Sequence, residues 1–311
     1  MKILFMGTPD YAAECLRALY DHDGVEIIGA VTQPDKPKGR GMKMIAPPVK
    51  VFAEEKGIPV YQPATLKDGA FEETLRELDP ELIIVAAYGK ILPKYILDYP
   101  VHKCVNAHAS LLPRHRGAAP INRAIMDGDT LTGVTSMYMA EGLDTGDMIL
   151  KIELPITDTD DVGTLHDKLA TAAGEAMCKT VDLIRDGSIT AEPQSENGMT
   201  YAAKITKDDC VLDFDRPCRK VYDHIRSLAP VPCAFTHTPD GKLLKFTSAE
   251  MTDVSAVGKE PGCVVSVDGG IVIACADGCV KVTGVIPEGK GRMSAADFIR
   301  GRKIAEGDVL N

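Results

Sequence analysis

Apolar and polar positions follow two different rhythms along this chain. Up to about residue 187, short apolar runs alternate with stretches of helical period. KILFMG (2–7), VEIIGAVT (25–32), IPVY (58–61), ELIIVAAYG (81–89) and KCVNAH (103–108) read as strands. Helices are expected at 10–20, after the Thr8-Pro9-Asp10 turn, and at 47–57, with Pro near the start and Gly at the end. Further helices are expected near 68–78 and 119–127 and over 162–185, closed by Gly187, and strands at 133–139 and 147–156. The run at 81–89 is apolar on every face, as a central parallel strand requires. Such alternation predicts an α/β domain with a doubly wound, mostly parallel sheet and right-handed crossovers.

The second rhythm begins after residues 188–205, a polar and weakly periodic stretch that suits a linker. A helix near 216–228 leads into short strands at about 234–237, 242–251, 262–268, 270–275 and 279–286, separated by Gly, Pro and Asp turns. That texture predicts a small β-barrel of OB type. The expected organisation is a catalytic domain over 1–187, a linker over 188–205 and a C-terminal domain over 206–311.

Charge narrows the partners. The net charge of −10 argues against indiscriminate nucleic-acid binding, and residues 1–187 carry −8 of it against −2 for the remainder. No apolar run approaches the roughly 20 residues of a membrane span. MKILFMGTPD reads as a first strand rather than a signal peptide, so a cytoplasmic chain is expected. The nine cysteines include no Cys-x-x-Cys pair, which favours free thiols in a reducing compartment over a zinc site.

The chemistry concentrates at NAHASLLPRHRGAAP (106–120). Asn106 and His108 end a predicted strand two residues apart, so an extended backbone turns both to one face. Ligands of doubly wound sheets sit beyond the C-terminal ends of strands. An amide beside an imidazole suits acyl transfer, one group stabilising an oxyanion and the other handling protons. From these two residues alone, a capping Asn and an incidental His would read the same way. GLDTGD (142–147) adds Asp144 between Gly142 and Gly146, a carboxylate able to orient the imidazole, while Asp147 reads as the lead into the next strand. A dinucleotide fingerprint after the first strand is absent, and so are a nucleophile elbow, a His-Glu-x-x-His helix and a P-loop.

Together with AYGKILP upstream and GLDTGD downstream, NAHASLLPRHRGAAPI resembles the formyltransferase family that uses 10-formyltetrahydrofolate. GTPDYAA, TQPDKPKGRGMK (32–43), APPVK (46–50) and AEEKGIPVYQP (53–63) are similar to the branch acting on methionyl-tRNA. The resemblance is dense over 1–187 and looser beyond, where MSAADFI (293–299) matches best. It implies a catalytic set of Asn106, His108 and Asp144. It also implies folate contacts from Ser110, Leu111, Leu112 and Pro113, and from the Lys90, Ile91 and Leu92 wall. No metal is required. Two positions depart from the family pattern: His115 stands where Trp is common, and SLAPVPCAF (227–235) also lacks Trp, of which the chain has none.

DKPKGRGMKMIAPPVK (35–50) carries five Lys or Arg and one acid in an acidic half, punctuated by Pro37, Gly39 and Gly41. On charge alone it is a solvated, flexible loop. Placed after the second strand it would project from the active-site edge, and the resemblance makes Lys38, Arg40 and Lys43 candidates for tRNA contact. Lys290, Arg292, Arg300, Arg302 and Lys303 could rim the barrel as a second tRNA platform. The leading expectation is a monomer that formylates initiator Met-tRNA. The alternatives are a formyltransferase acting on a small amine, such as a nucleotide amino-sugar, and a non-catalytic RNA-binding protein on a degenerate fold.

Overall fold

The computed structural model describes every residue except 39–41 and 68. The described residues divide into two units. Met1–Gly117, Leu131–Pro155 and His166–Tyr201 form the first, and Ala118–Thr130, Ile156–Leu165 and Ala202–Asn311 form the second. Neither is continuous in sequence.

In the first unit, β1 (Lys2–Gly7) leads into α1 (Asp10–Tyr20) and β2 (Glu26–Val31). A hairpin of β3 (Lys36–Lys38) and β4 (Lys43–Ile45) follows, then α2 (Pro48–Glu55), β5 (Val60–Tyr61), α3 (Glu72–Leu78), β6 (Leu82–Ala86), α4 (Lys94–Leu97) and β7 (Cys104–His108). After β8 (Arg116–Gly117), helix α5 (Pro120–Asp127) belongs to the second unit. The chain returns with β9 (Leu131–Tyr138), β10 (Met148–Pro155) and α6 (Val162–Arg185), which is in this unit from His166 onward, and reaches β11 (Tyr201–Ala202).

Seven strands order as β10-β9-β7-β6-β1-β2-β5. The five from β7 to β5 pair in parallel, while β9 and β10 add an antiparallel edge. The direction of winding reverses between β1 and β6, where such sheets open a crevice. All five residues of β6 are buried, so its apolar run spends both faces on packing. Gly7 explains the single-glycine GTPD turn. A Cβ there would lie 2.6 Å from the Ala12 Cβ and 2.8 Å from the Ala86 carbonyl, so α1 sits against the strand end only if position 7 is bare. On α6, Leu169, Ala173, Ala176, Met177 and Val181 are buried at helical spacing.

The second unit holds η1 (Asp208–Cys210), α7 (Cys218–Arg226) and the strands β12 (Ala234–His237), β13 (Leu243–Thr252), β14 (Val264–Ser266), β15 (Ile271–Ala274), β16 (Cys279–Pro287) and β17 (Met293–Ser294), followed by α8 (Ala295–Arg300). The sheet runs β12-β13-β16-β15-β14, with β17 also on β16. It is antiparallel throughout and curls into a half-barrel, in keeping with the small barrel expected from the sequence. Register shifts at Phe246/Ser248 and Ser248/Ala249 in β13 bend the long strand. Phe246, Val264, Val280, Val282, Ile225, Leu228 and Phe298 pack its core. Helix α8 is N-capped by Ser294, whose Oγ accepts from the Asp297 N–H at 3.1 Å.

Two early segments are tied into this unit by polar contacts. Asn122 Nδ2 donates to the Ser227 carbonyl at 2.8 Å, and Arg123 pairs with Asp209 at 2.8 Å. Arg226 Nη1 donates to the carbonyls of Thr157 and Asp160, both at 2.9 Å. Asp223, 1% exposed, accepts from Arg219 Nε at 3.1 Å and Arg226 Nε at 2.9 Å.

Candidate active site

The C-terminal end of β7 carries the predicted pair. Asn106 is half-buried, with Val85 and Met137 as its neighbours in register. Its side-chain amide makes no hydrogen bond among the described residues. His108 is 5% exposed, and its Nε2 lies 2.9 Å from the His115 carbonyl. A carbonyl only accepts, so Nε2 carries a proton and the neutral ring presents a bare Nδ1. That Nδ1 faces Asp144 Oδ2 at 3.6 Å, too far for a direct hydrogen bond. The three residues predicted as a set are therefore brought together.

Asp144 sits on a left-handed backbone, φ +50°, in the loop between β9 and β10. Oδ2 accepts from the Gly117 N–H at 2.9 Å. Gly146 allows the loop to fold back, because a Cβ there would collide with the Tyr138 carbonyl. Gln194 was missed by sequence reasoning. Its Nε2 donates to the carbonyls of Asp144 and Gly146, each at 2.8 Å, and its Oε1 accepts from Arg116 Nε at 2.8 Å. Thr200 adds a further tie: its hydroxyl accepts from the His115 N–H and its carbonyl from the Arg116 N–H, each at 2.9 Å. Residues of the stretch expected as a linker thus line the site. Nothing local in AEPQSENG distinguishes a glutamine with this reach from one in solvent.

The 110–113 turn is held from inside. Ser110 is fully buried, its hydroxyl donating to the Arg114 carbonyl at 2.7 Å, while its own carbonyl accepts from Thr135 Oγ1 at 2.7 Å. The Leu112 N–H donates to Thr135 Oγ1 at 3.1 Å, and the Leu112 side chain is buried. Leu111 and Pro113 are half-buried. On the β6 side, Lys90 Nζ donates to the carbonyls of Pro63 and Ala64 at 3.0 and 2.8 Å. Ile91 is 79% exposed, whereas Leu92 packs into the core with Tyr88. His115, at the family's Trp position, is buried with φ +60°.

The basic segment is more ordered than a solvated loop. Residues 36–38 and 43–45 form an antiparallel ladder, and Asp35 at its foot is gripped by Gln62 Nε2 at 2.9 Å and Lys50 Nζ at 3.0 Å. Hydrogen bonds from Gln62, then from Lys50, hold the Asp35 carboxyl below its ordinary range. Met42, Met44 and Ile45 are exposed. Arg40 lies outside the described residues, as do the side chains of Lys38 and Lys43. In the second unit, Lys290, Arg292, Arg300, Arg302 and Lys303 are all exposed, with Arg300 paired to Asp297. Among the described residues no three His, Cys, Asp or Glu side chains gather as a metal site, and no helix is long and apolar enough to cross a membrane.

Comparison with known proteins decides the family. The formyl transferase profile matches residues 1–181, and the formyl transferase C-terminal domain matches 204–303. The methionyl-tRNA formyltransferase of Bacillus licheniformis is 47% identical over 99% of this chain and 98% of its own. The chain belongs to the methionyl-tRNA formyltransferase family. Another member, the methionyl-tRNA formyltransferase of Geobacillus thermodenitrificans, is 45% identical over 99% of this chain and 97% of its own. Two distant solved structures share the family's fold. An N-formyltransferase of Helicobacter canadensis, in complex with folinic acid and dTDP-3-aminofucose, superposes with TM-score 0.68 at 18% identity, covering 91% of this chain and 98% of that one. HypX of Aquifex aeolicus, in complex with tetrahydrofolic acid, gives TM-score 0.64 at 17% identity over 96% of this chain, which spans 47% of HypX.

Proposed function

We propose that this protein transfers the formyl group of 10-formyltetrahydrofolate to the α-amino group of methionine on initiator Met-tRNA. The products are N-formylmethionyl-tRNA, used to start translation, and tetrahydrofolate. The observation that carries the reading is the unengaged Asn106 amide on the same strand end as His108, with Asp144 3.6 Å from the ring. Identity of 45% and 47% to two methionyl-tRNA formyltransferases, over 99% of this chain, supports the acceptor.

The amine has a reference pKa near ~8, so an appreciable fraction is free base at neutral pH. Its nitrogen attacks the formyl carbon and the carbonyl electrons move to oxygen. Asn106 donates its amide N–H to that oxyanion. The bare Nδ1 of His108, oriented by Asp144, takes the proton that the attacking nitrogen sheds and hands it to N10 as the C–N10 bond breaks, so the ring ends neutral as it began.

Folate would lie along residues 110–113 and the Lys90 to Leu92 wall. Ser110 and Leu112 contribute through backbone and shape, since their side chains are already spent inside. The basic hairpin with Lys38, Arg40 and Lys43 would contact the tRNA. We assign the chemistry to 1–187, completed by Gln194 and Thr200 of the 188–205 stretch, and tRNA binding to 206–311, and place the enzyme in the cytoplasm as a monomer. The test is incubation with 10-formyltetrahydrofolate and charged initiator tRNA, with formyl-methionine measured after deacylation. Transfer to a nucleotide-linked amino-sugar and none to Met-tRNA would overturn the acceptor.

A further inference from the structure

We propose that Gln194, held by the buried Arg116, is a positioning residue that fixes the Asp144 carboxylate opposite His108. The inference rests on the catalytic reading of Asp144 given above. Asp144 occupies a left-handed conformation that residues other than glycine adopt sparingly, so its contacts must hold it there. The Gln194 amide does so with both carbonyls that flank the turn, at Asp144 and Gly146. One amide nitrogen bridging two carbonyls two residues apart fixes the turn's curvature, and hence the direction in which the carboxylate leaves it.

Gln194 is itself oriented. Arg116 is 3% exposed and donates Nε–H to Gln194 Oε1, which settles which end of the amide points at the loop. The Arg116 backbone is pinned in turn by the Thr200 carbonyl, and the next N–H, that of Gly117, donates to the Asp144 carboxylate. The chain of contacts therefore closes on itself: Arg116 to Gln194 to the Asp144 backbone, and Gly117 to the Asp144 side chain. A carboxylate at position 194 could still accept from Arg116 but could not donate to either carbonyl.

That asymmetry supplies the test. Gln194→Glu and Gln194→Met are compared with wild type and Asp144→Asn for kcat, for KM of Met-tRNA and folate, and for thermal unfolding. Misplacing a catalytic group by an ångström costs on the order of 10²-fold in rate. Gln194→Glu should lower kcat by about 10–100-fold with both KM values within about twofold and its melting temperature near wild type. Gln194→Met should fall as far, because it also lacks the donor. Combined with Asp144→Asn, Gln194→Glu should add almost nothing, since both changes disable the same group. Wild-type turnover in Gln194→Glu, alongside an impaired Asp144→Asn, would overturn the positioning role alone. Multiplying losses in the double variant would also overturn it. Wild-type turnover in Asp144→Asn would remove the catalytic reading and this proposal with it.

Discussion

Two carboxylates in this molecule sit beside positive or protonatable partners and do opposite things with them. In the second unit Asp223 is 1% exposed, and both its oxygens are consumed by arginine at hydrogen-bond distance. Its main partner Arg226 is spent on two backbone carbonyls as well. In the first unit, among the described residues, Asp144 takes one backbone N–H and stands 3.6 Å from His108, with the neighbouring Asn106 amide unengaged. A saturated polar cluster is a fastener, because every group has already found its lowest-energy partner. An unsaturated one holds capacity in reserve for charge that appears only during a reaction. Partner count, more than burial or charge, separates structure from chemistry here.

The largest effect expected from this contrast is on stability. Asp223→Ala leaves buried guanidinium charge unpaired and should cost about 3–5 kcal/mol in urea unfolding. Asp144→Ala should leave the unfolding midpoint close to wild type while turnover collapses. Comparable destabilisation by both would erase the distinction. Next, Asn106→Ala removes an oxyanion donor and should lower kcat about 10²–10³-fold, roughly 2.7–4 kcal/mol, with folate affinity retained in equilibrium binding. His108→Ala should behave alike.

Arg40→Ala carries the contrast to the hairpin, whose foot is fastened through Asp35, Lys50 and Gln62. It should cost about 1–3 kcal/mol in discrimination between initiator and elongator Met-tRNA if a base edge is read. A shallower salt dependence, by about one charge, would mark a phosphate contact instead. Arg40→Lys should rescue only in part, since lysine keeps the charge without the planar fork. Equal rates for all three proteins on initiator tRNA would make the arm a bystander.

The smallest effect belongs to Asp209, a fastener near the surface. Hydrogen bonds from the Thr206 backbone and hydroxyl, then from Arg123, lower its pKa to about 2. A folded-state pKa below the unfolded value gives stability that is complete above about pH 4 and lost as pH falls toward 2. Asp209→Asn should cost at most about 1 kcal/mol near neutrality and flatten this acid limb, which unfolding midpoints at pH 5 and pH 3 would reveal.

Much of the first unit could be read from periodicity because it records local burial. The all-buried β6 and the Asn106–His108 spacing both survive unchanged in the structure, as does the glycine-bracketed Asp144 loop. Periodicity does not record against what a residue is buried. Helix α5 and the 156–165 stretch look like ordinary parts of an α/β alternation, yet their polar partners lie at Ser227, Asp209 and Arg226. Gln194 was illegible for the same reason. The β3–β4 ladder was hidden by composition, since Lys, Pro and Gly score as coil whether or not their backbones pair. Helix α8 could have been read from Ser294, an N-cap residue directly ahead of it.

The interleaving of the second unit has a consequence for how the polypeptide leaves the ribosome. Residues 118–130 and 156–165 are synthesised early, but the groups that hold them arrive only with residues 205–230, and the edge of the curled sheet closes when Asn311 pairs with His237. At about 5–20 residues per second, the nascent α5 waits several seconds or more for its partners. During that interval its apolar side, including Ala124 and Ile125, has no finished surface of its own unit to lie against. The first unit can assemble around this pause while the second waits for residues 205–311, so the rate of elongation through those codons sets how long the half-made helix is available to chaperones.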